Sequence, residues 1–159
     1  MGIINIALIE FVRSEFKLDW TGIHGAPHWA RVRLNGLILA DRTGADKKVV
    51  EYFAFLHDLG REHDGYDPEH GNRSAEIAER LAGDLIFLDD GELRLLTVAC
   101  RGHSEGYTKE NITVMTCWDA DRLDLGRVGV EPDPRLLCTE AAKDKSVRHA
   151  SFGRSVGYS

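Results

Sequence analysis

The sequence predicts an all-α protein of about six to seven helices. Three observations carry that reading. Apolar residues recur three and four positions apart in successive segments, the period of one helix face. No stretch alternates apolar and polar residues convincingly enough to suggest a strand. The periodic segments are bounded by residues suited to helix ends, among them Pro27, Gly60, Asn72 and the pair Asp133–Pro134.

Residues 3–16 form the first expected helix, apolar at Ile4, Ala7, Leu8, Phe11 and Val12. "DWTGIHGAP" (19–27) reads as a loop, and Pro27 suits the start of a second helix through "HWARVRLNGLILADR". A third helix over 46–59 follows the break at Thr43-Gly-Ala-Asp46 and stops at Gly60. After the polar segment "REHDGYDPEHG" (61–71), Asn72 is expected to cap a fourth helix, "NRSAEIAERLAGD". "DDGELRLLTVACRGH" is the fifth. Thr108 is expected to cap the sixth, "KENITVMTCWDADRLDLGRVG", and Asp133–Pro134 to open a short seventh, "PRLLCTEAAKD". Nothing resembles an interdomain linker. One domain is expected over 1–145, with its core at 24–128 and a flexible tail at 146–159.

Composition narrows the function classes. The chain has 159 residues, enough for a substantial core, and is 43% hydrophobic and 29% charged, as globular proteins are. A net charge of −6 argues against nucleic acid as the main partner, though not against a small anionic substrate held by a metal or local basic groups. No apolar run approaches the ~20 residues of a membrane span, and "MGIINIALIEFVRSEF" lacks the cationic start of a secretion signal. The sixth position holds no Ser or Thr, so myristoylation is not suggested. Cys100, Cys117 and Cys138 form no CxxC pair and read as reduced core residues. A cytoplasmic protein is expected. The sequence does not give its oligomeric state.

Several apolar stripes end on polar residues. Val50, Phe53 and Ala54 lead onto His57, with Asp58 beside it. Leu96, Ala99 and Cys100 lead onto His103; Val114, Cys117 and Trp118 lead onto Asp121; His28 stands at the head of the stripe through Val32 and Leu39. A lone buried histidine is ordinarily a hydrogen-bonded core residue. A buried carboxylate needs a partner, because an isolated one costs several kcal/mol or takes up a proton (about that scale for an unpaired buried charge). Several such residues on several helices satisfy one another most simply by converging on a cation, as in metal sites built inside helix bundles.

The ordered set "HWARV", "LHDLGR" and "DADRLDL" resembles the HD-domain metal-dependent phosphohydrolase superfamily, as a small, single-domain, bacterial-type member. The resemblance covers roughly residues 24–128. It implies a helical bundle around a metal site, with His28, His57, Asp58 and Asp121 as ligands and Asp58 also as the catalytic carboxylate. Asp119 is the competing candidate for the last ligand; the stripe and the following basic residue favour Asp121. His70 and His103 match the two histidines that some branches insert to hold a second metal. Those branches include cyclic-di-nucleotide phosphodiesterases and a group of di-iron oxygenases. The first of these also carries a GYP element and a lysine near the doublet; here Arg61 and "GYDP" (65–68) stand instead.

The implied cofactor is one or two divalent transition ions, among Fe, Mn, Zn, Co or Ni. The implied function is hydrolysis of a phosphoester, a nucleotide or related small phosphate, by a metal-activated water. The alternatives are a di-iron oxygenase cleaving a C–P or C–C bond, and a metal- or nucleotide-binding module without turnover. Arg61, Arg73 and Arg122 are candidates to grip the substrate phosphate. His24, His63, His149, Asp64 and Asp67 carry no firm assignment. There is no phosphate-cradling glycine loop and no serine-nucleophile elbow.

Overall fold

Helices carry the structure, a computed structural model that describes residues 2–157. Eight α-helices are present among the described residues: α1 (Ile6–Glu15), α2 (Ala26–Thr43), α3 (Lys47–Leu56), α4 (His70–Leu81), α5 (Asp90–Gly102), α6 (Ile112–Arg122), α7 (Glu140–Lys143) and α8 (Lys145–Ser155). Two short 3-10 helices, Leu125–Val128 and Pro134–Leu136, lie between α6 and α7. A single bridge, Ala82 to Ile86, is the nearest approach to a strand among the described residues. The all-α expectation is met, with a count slightly above six to seven.

Local chemistry explains most boundaries. The Asn5 side chain accepts from the Leu8 amide and starts α1. Pro27 lies in the first turn of α2, where its missing N–H costs nothing, and Gly44 ends the helix at φ 77°. Asp46 caps α3, and Asp89 with Glu92 forms a capping box on α5.

Other boundaries differ from expectation. α4 begins at His70 rather than after Asn72, whose side chain instead donates to Glu69. Asn111, not Thr108, caps α6. The single helix expected from Pro134 is divided, because the Asp119 carboxylate accepts from the amides of Cys138 and Thr139 and holds that segment out of helical pairing. The tail expected to be flexible over 146–159 is helical as far as Ser155 in α8; Tyr158 and Ser159 lie outside the described residues.

α2 is the central helix and packs chiefly on α3 and α6, while α4 pairs with α5 and α3 leans on α5. Trp29, Tyr52, Phe53, Leu56, Leu96, Trp118 and Leu123 are fully or almost fully buried between them. Burying each such side chain is worth about 1.5–3 kcal/mol before ordering costs. The buried Trp118 indole donates to the Ala99 carbonyl at 3.0 Å, which ties α6 to α5. α8 closes one side: Arg154 donates to Asn35 on α2, and Asn35 donates to the Ala120 carbonyl on α6. The polar ends of α2, α3, α5 and α6 and the start of α4 are thereby brought together.

Candidate metal centre

His28 lies in the first turn of α2 and is fully buried. Its Nε2 is 3.1 Å from Nε2 of His57, 3.4 Å from Oδ2 of Asp58 and 3.2 Å from Oδ1 of Asp121. His57 Nε2 is in turn 3.3 Å from Asp58 Oδ2 and 3.5 Å from Asp121 Oδ1. The doublet occupies the turn that ends α3. There Nδ1–H of His57 donates to the Phe53 carbonyl at 3.0 Å while its ring stacks on the Phe53 ring. The Ser74 hydroxyl accepts from the Gly60 amide and donates to the His57 carbonyl, so α4 fixes the end of α3. A Cβ on Gly60 would lie 2.6 Å from the Ser74 nitrogen, so a larger residue would push these two helices apart.

A second cluster shares Asp58. Its other oxygen, Oδ1, is 3.5 Å from Nε2 of His70 and 3.4 Å from Nε2 of His103. Those two nitrogens are 2.9 Å apart. His70 opens α4 and His103 closes α5. Their Nδ1–H groups donate to the carbonyls of Asp67 at 2.5 Å and Cys100 at 2.7 Å. The groups His28–His57–Asp58 and Asp58–His70–His103 are buried and close enough to hold a metal ion each.

The donor chemistry fits a metal ion. Each of the four imidazoles commits Nδ1 to an acceptor, which leaves Nε2 as the lone-pair nitrogen turned inward. Pairs of such nitrogens at 2.9–3.1 Å, ringed by carboxylates, repel unless a proton or a cation stands among them.

The titration behaviour expresses the same demand. Burial pulls the His57 pKa down, but the Asp58 and Asp121 charges outweigh it and push it to about 10. His28 is raised as well, its burial overcome by hydrogen bonds to Asp121, Asp124 and Asp58. Burial opposes ionisation of Asp58 and Asp121, yet the surrounding imidazoles hold both well below the usual carboxylate range. His70 moves the other way, to about 4, through burial and the neighbouring His103.

The remaining candidates have other partners. Asp119 does not join the cluster; its oxygens accept from the Cys138 amide and from the Thr139 amide and hydroxyl. Arg73 is spent on the Gly60 carbonyl and on Asp67. Arg61 touches Asp58 Oδ1 at 3.2 Å and ties down the carbonyls of His63 and Gly65. Arg122 donates one Nη1 to the Leu136 carbonyl and the Cys138 sulfur, and its buried Nη2 has no hydrogen-bond partner among the described residues. His24 is buried and pairs with Asp64 at 2.7 Å, whereas His149 is exposed on α8.

One residue with a place at the centre was passed over in the sequence. Asp124 is fully buried and accepts from Nδ1 of His28 at 2.6 Å and from Arg31 at 2.7 Å. Its spacing of three from Asp121 was the available signal, since residues three apart lie on one side of a helical turn.

A cavity of about 340 Å³ opens beside His103 and Asp121, and a smaller one of about 270 Å³ beside Arg61 and His70. A family model described as HD domain matches residues 26–142. The chain belongs to the HD-domain superfamily. Neither a search of curated proteins nor one of solved structures gives a match. Metal-dependent phosphohydrolases are common in this family, which points to hydrolase-type chemistry at buried His/Asp groups able to hold a metal ion. No helix among the described residues is long and apolar enough to cross a membrane.

Proposed function

We propose that this protein is a metal-dependent phosphohydrolase acting on a small phosphoester, a nucleotide or a related phosphate. The observation that carries the reading is the division of Asp58. One carboxylate oxygen faces His28 and His57, and the other faces His70 and His103. A carboxylate so placed suits two ions side by side, with Asp121 completing the first set. When bound, divalent ions supply a water of lowered pKa and polarise a phosphoryl oxygen.

The chain's own residues do the rest. His28, His57, Asp121 and the two outer histidines would hold the ions, and Asp124 would orient His28 through its Nδ1. Arg61 steadies the Asp58 carboxylate by donating to its Oδ1. Of the three arginines predicted to grip phosphate, Arg122 lines the larger cavity, and its buried Nη2 has no hydrogen-bond partner among the described residues. Arg73 is paired with the Gly60 carbonyl and Asp67 and is not part of the proposal.

The test is elemental analysis of protein purified without chelator, run beside a panel of phosphomonoesters and phosphodiesters. About two transition ions per chain are expected, with turnover abolished by chelation and by the His57→Ala, Asp58→Ala double variant. Turnover that persists in the metal-depleted double variant would sink the reading. Bound iron with substrate-dependent oxygen consumption would assign the oxygenase chemistry instead.

A further inference from the structure

The two openings beside the centre differ in character. The smaller is lined by the charged Arg61, Asp67 and Glu105 together with Tyr66 and Pro68. The larger has walls of Leu125, Val130, Pro132 and Leu136, from the segment between α6 and α7. Two of these apolar side chains are conspicuously open to solvent: Val130 is 48% and Leu136 61% exposed. An apolar recess that shares His103 and Asp121 with the candidate metal centre is continuous with it. A substrate whose phosphoryl group sat at the centre could extend its substituent into this recess.

Charge narrows what that substituent can be. Arg127 lines the cavity but is spent on the Ile23 and Asp124 carbonyls, and Arg122 on the Leu136 carbonyl and Cys138, leaving only Nη2. Glu131 and Asp133 add carboxylates to the same lining, the latter already paired with Arg135. The lining sets the guanidinium groups of Arg122 and Arg127 against the carboxylates of Asp121, Glu131 and Asp133, so it offers no net positive charge to an anionic substituent. An uncharged ring would cover Val130 and Leu136 and release water from them. The volume of about 340 Å³ is at the small end for ligand sites, suited to one small organic group.

We propose that this cavity receives an uncharged, apolar or aromatic group of the substrate, and that Val130 and Leu136 set the preference for it. The proposal rests on the phosphohydrolase reading and names the substrate class within it: phosphoesters with a neutral, ring-sized organic group, in preference to bare or highly anionic phosphates.

Two non-hydrolysable probes test it on the full-length, metal-loaded protein. Phenylphosphonate and methylphosphonate carry the same headgroup and differ in the ring. Calorimetry should give phenylphosphonate about tenfold or more tighter binding, the scale expected for burying most of an aromatic ring. In Leu136→Glu that ratio should collapse toward one. Leu136 is exposed, so the change is tolerated by the fold, and Val130→Glu provides an independent second variant. Equal affinity of the two probes in the wild type, or a ratio preserved in both variants, overturns this inference while leaving the phosphohydrolase reading standing. Failure of either phosphonate and of inorganic phosphate to bind metal-loaded protein overturns both.

Discussion

At the residue scale, the buried charges are arranged as a chain of mutual support. Asp124 accepts from His28 Nδ1 and from Arg31, so the imidazole is fixed in one tautomer with Nε2 facing Asp58 and Asp121. Removing such an orienting partner ordinarily costs about 10–100-fold in metal affinity. Asp124→Asn is therefore expected to weaken metal binding by that factor, measured by competition with a chelating dye, while circular dichroism stays native. An unchanged affinity would reduce Asp124 to a partner for Arg31. The sequence placed His28, His57 and His103 on buried faces, and Asp121 on a partly buried one, because helix periodicity is a local property. It could not place the arginines. The fork of a long side chain is captured by whichever carbonyl or carboxylate the fold brings near, and for Arg73 these are Gly60 and Asp67.

At the scale of elements, the centre depends on two helices meeting without side chains between them. A Cβ on Gly71 would lie 2.6 Å from the Cys100 carbonyl, the group that accepts from His103 Nδ1. Gly71→Ala must push α4 off α5 or tilt that carbonyl, at about 1–3 kcal/mol for overpacking. Because His70 and His103 sit on those two helices, the variant is expected to lose one ion per chain and retain the other, read by elemental analysis.

The 61–69 segment that leads into α4 is held by Asp67, which accepts from the Glu62 amide and pairs with Arg73. Burial would raise its pKa, but those partners outweigh burial and bring it to about 2, below the ordinary 3.8. A lowered carboxylate pKa means stability that is fully present above pH 3.8 and lost as pH falls toward 2. Asp67→Asn should be less stable than wild type near neutrality, and the gap should narrow below about pH 4, followed by urea denaturation at several pH values. Sequence patterns missed the start of α4 because a backbone turn at Asp67–His70 opens it, where a side-chain cap at Asn72 was expected.

At the scale of the whole molecule, the all-α class was legible because every large apolar stripe reports its own period, and α2, α3, α5 and α6 follow those stripes closely. The end of the chain was not. α8 carries few large apolar side chains and buries Ser151 and Ser155, so its helix is set by contact with α2 and the 3-10 helix after α6, which no local pattern announces.

The core itself has a consequence for stability. Phe53 packs on His57 and His103, and the Cys100 carbonyl accepts from His103, beside a cluster in which Asp58 and Asp124 are buried together with four histidines. Without a cation, protons must balance those carboxylates, and the histidines that take them up are themselves shielded from water. Ions bound by the folded chain and not by the unfolded one stabilise it by mass action, about 2.7 kcal/mol at a hundredfold excess over the dissociation constant. For a chain of this length each kcal/mol moves the midpoint by roughly 2–4 °C. Dialysis against a chelator is therefore expected to lower the melting temperature by about 5–10 °C. Adding back a divalent transition ion should restore it, and magnesium, which is poorly served by imidazole nitrogen, should restore it much less. The Asp58→Ala variant should melt at the same temperature with and without chelator. A wild-type midpoint indifferent to chelation, in protein shown by elemental analysis to have carried metal beforehand, would mean that the helices hold the cluster together without help from an ion.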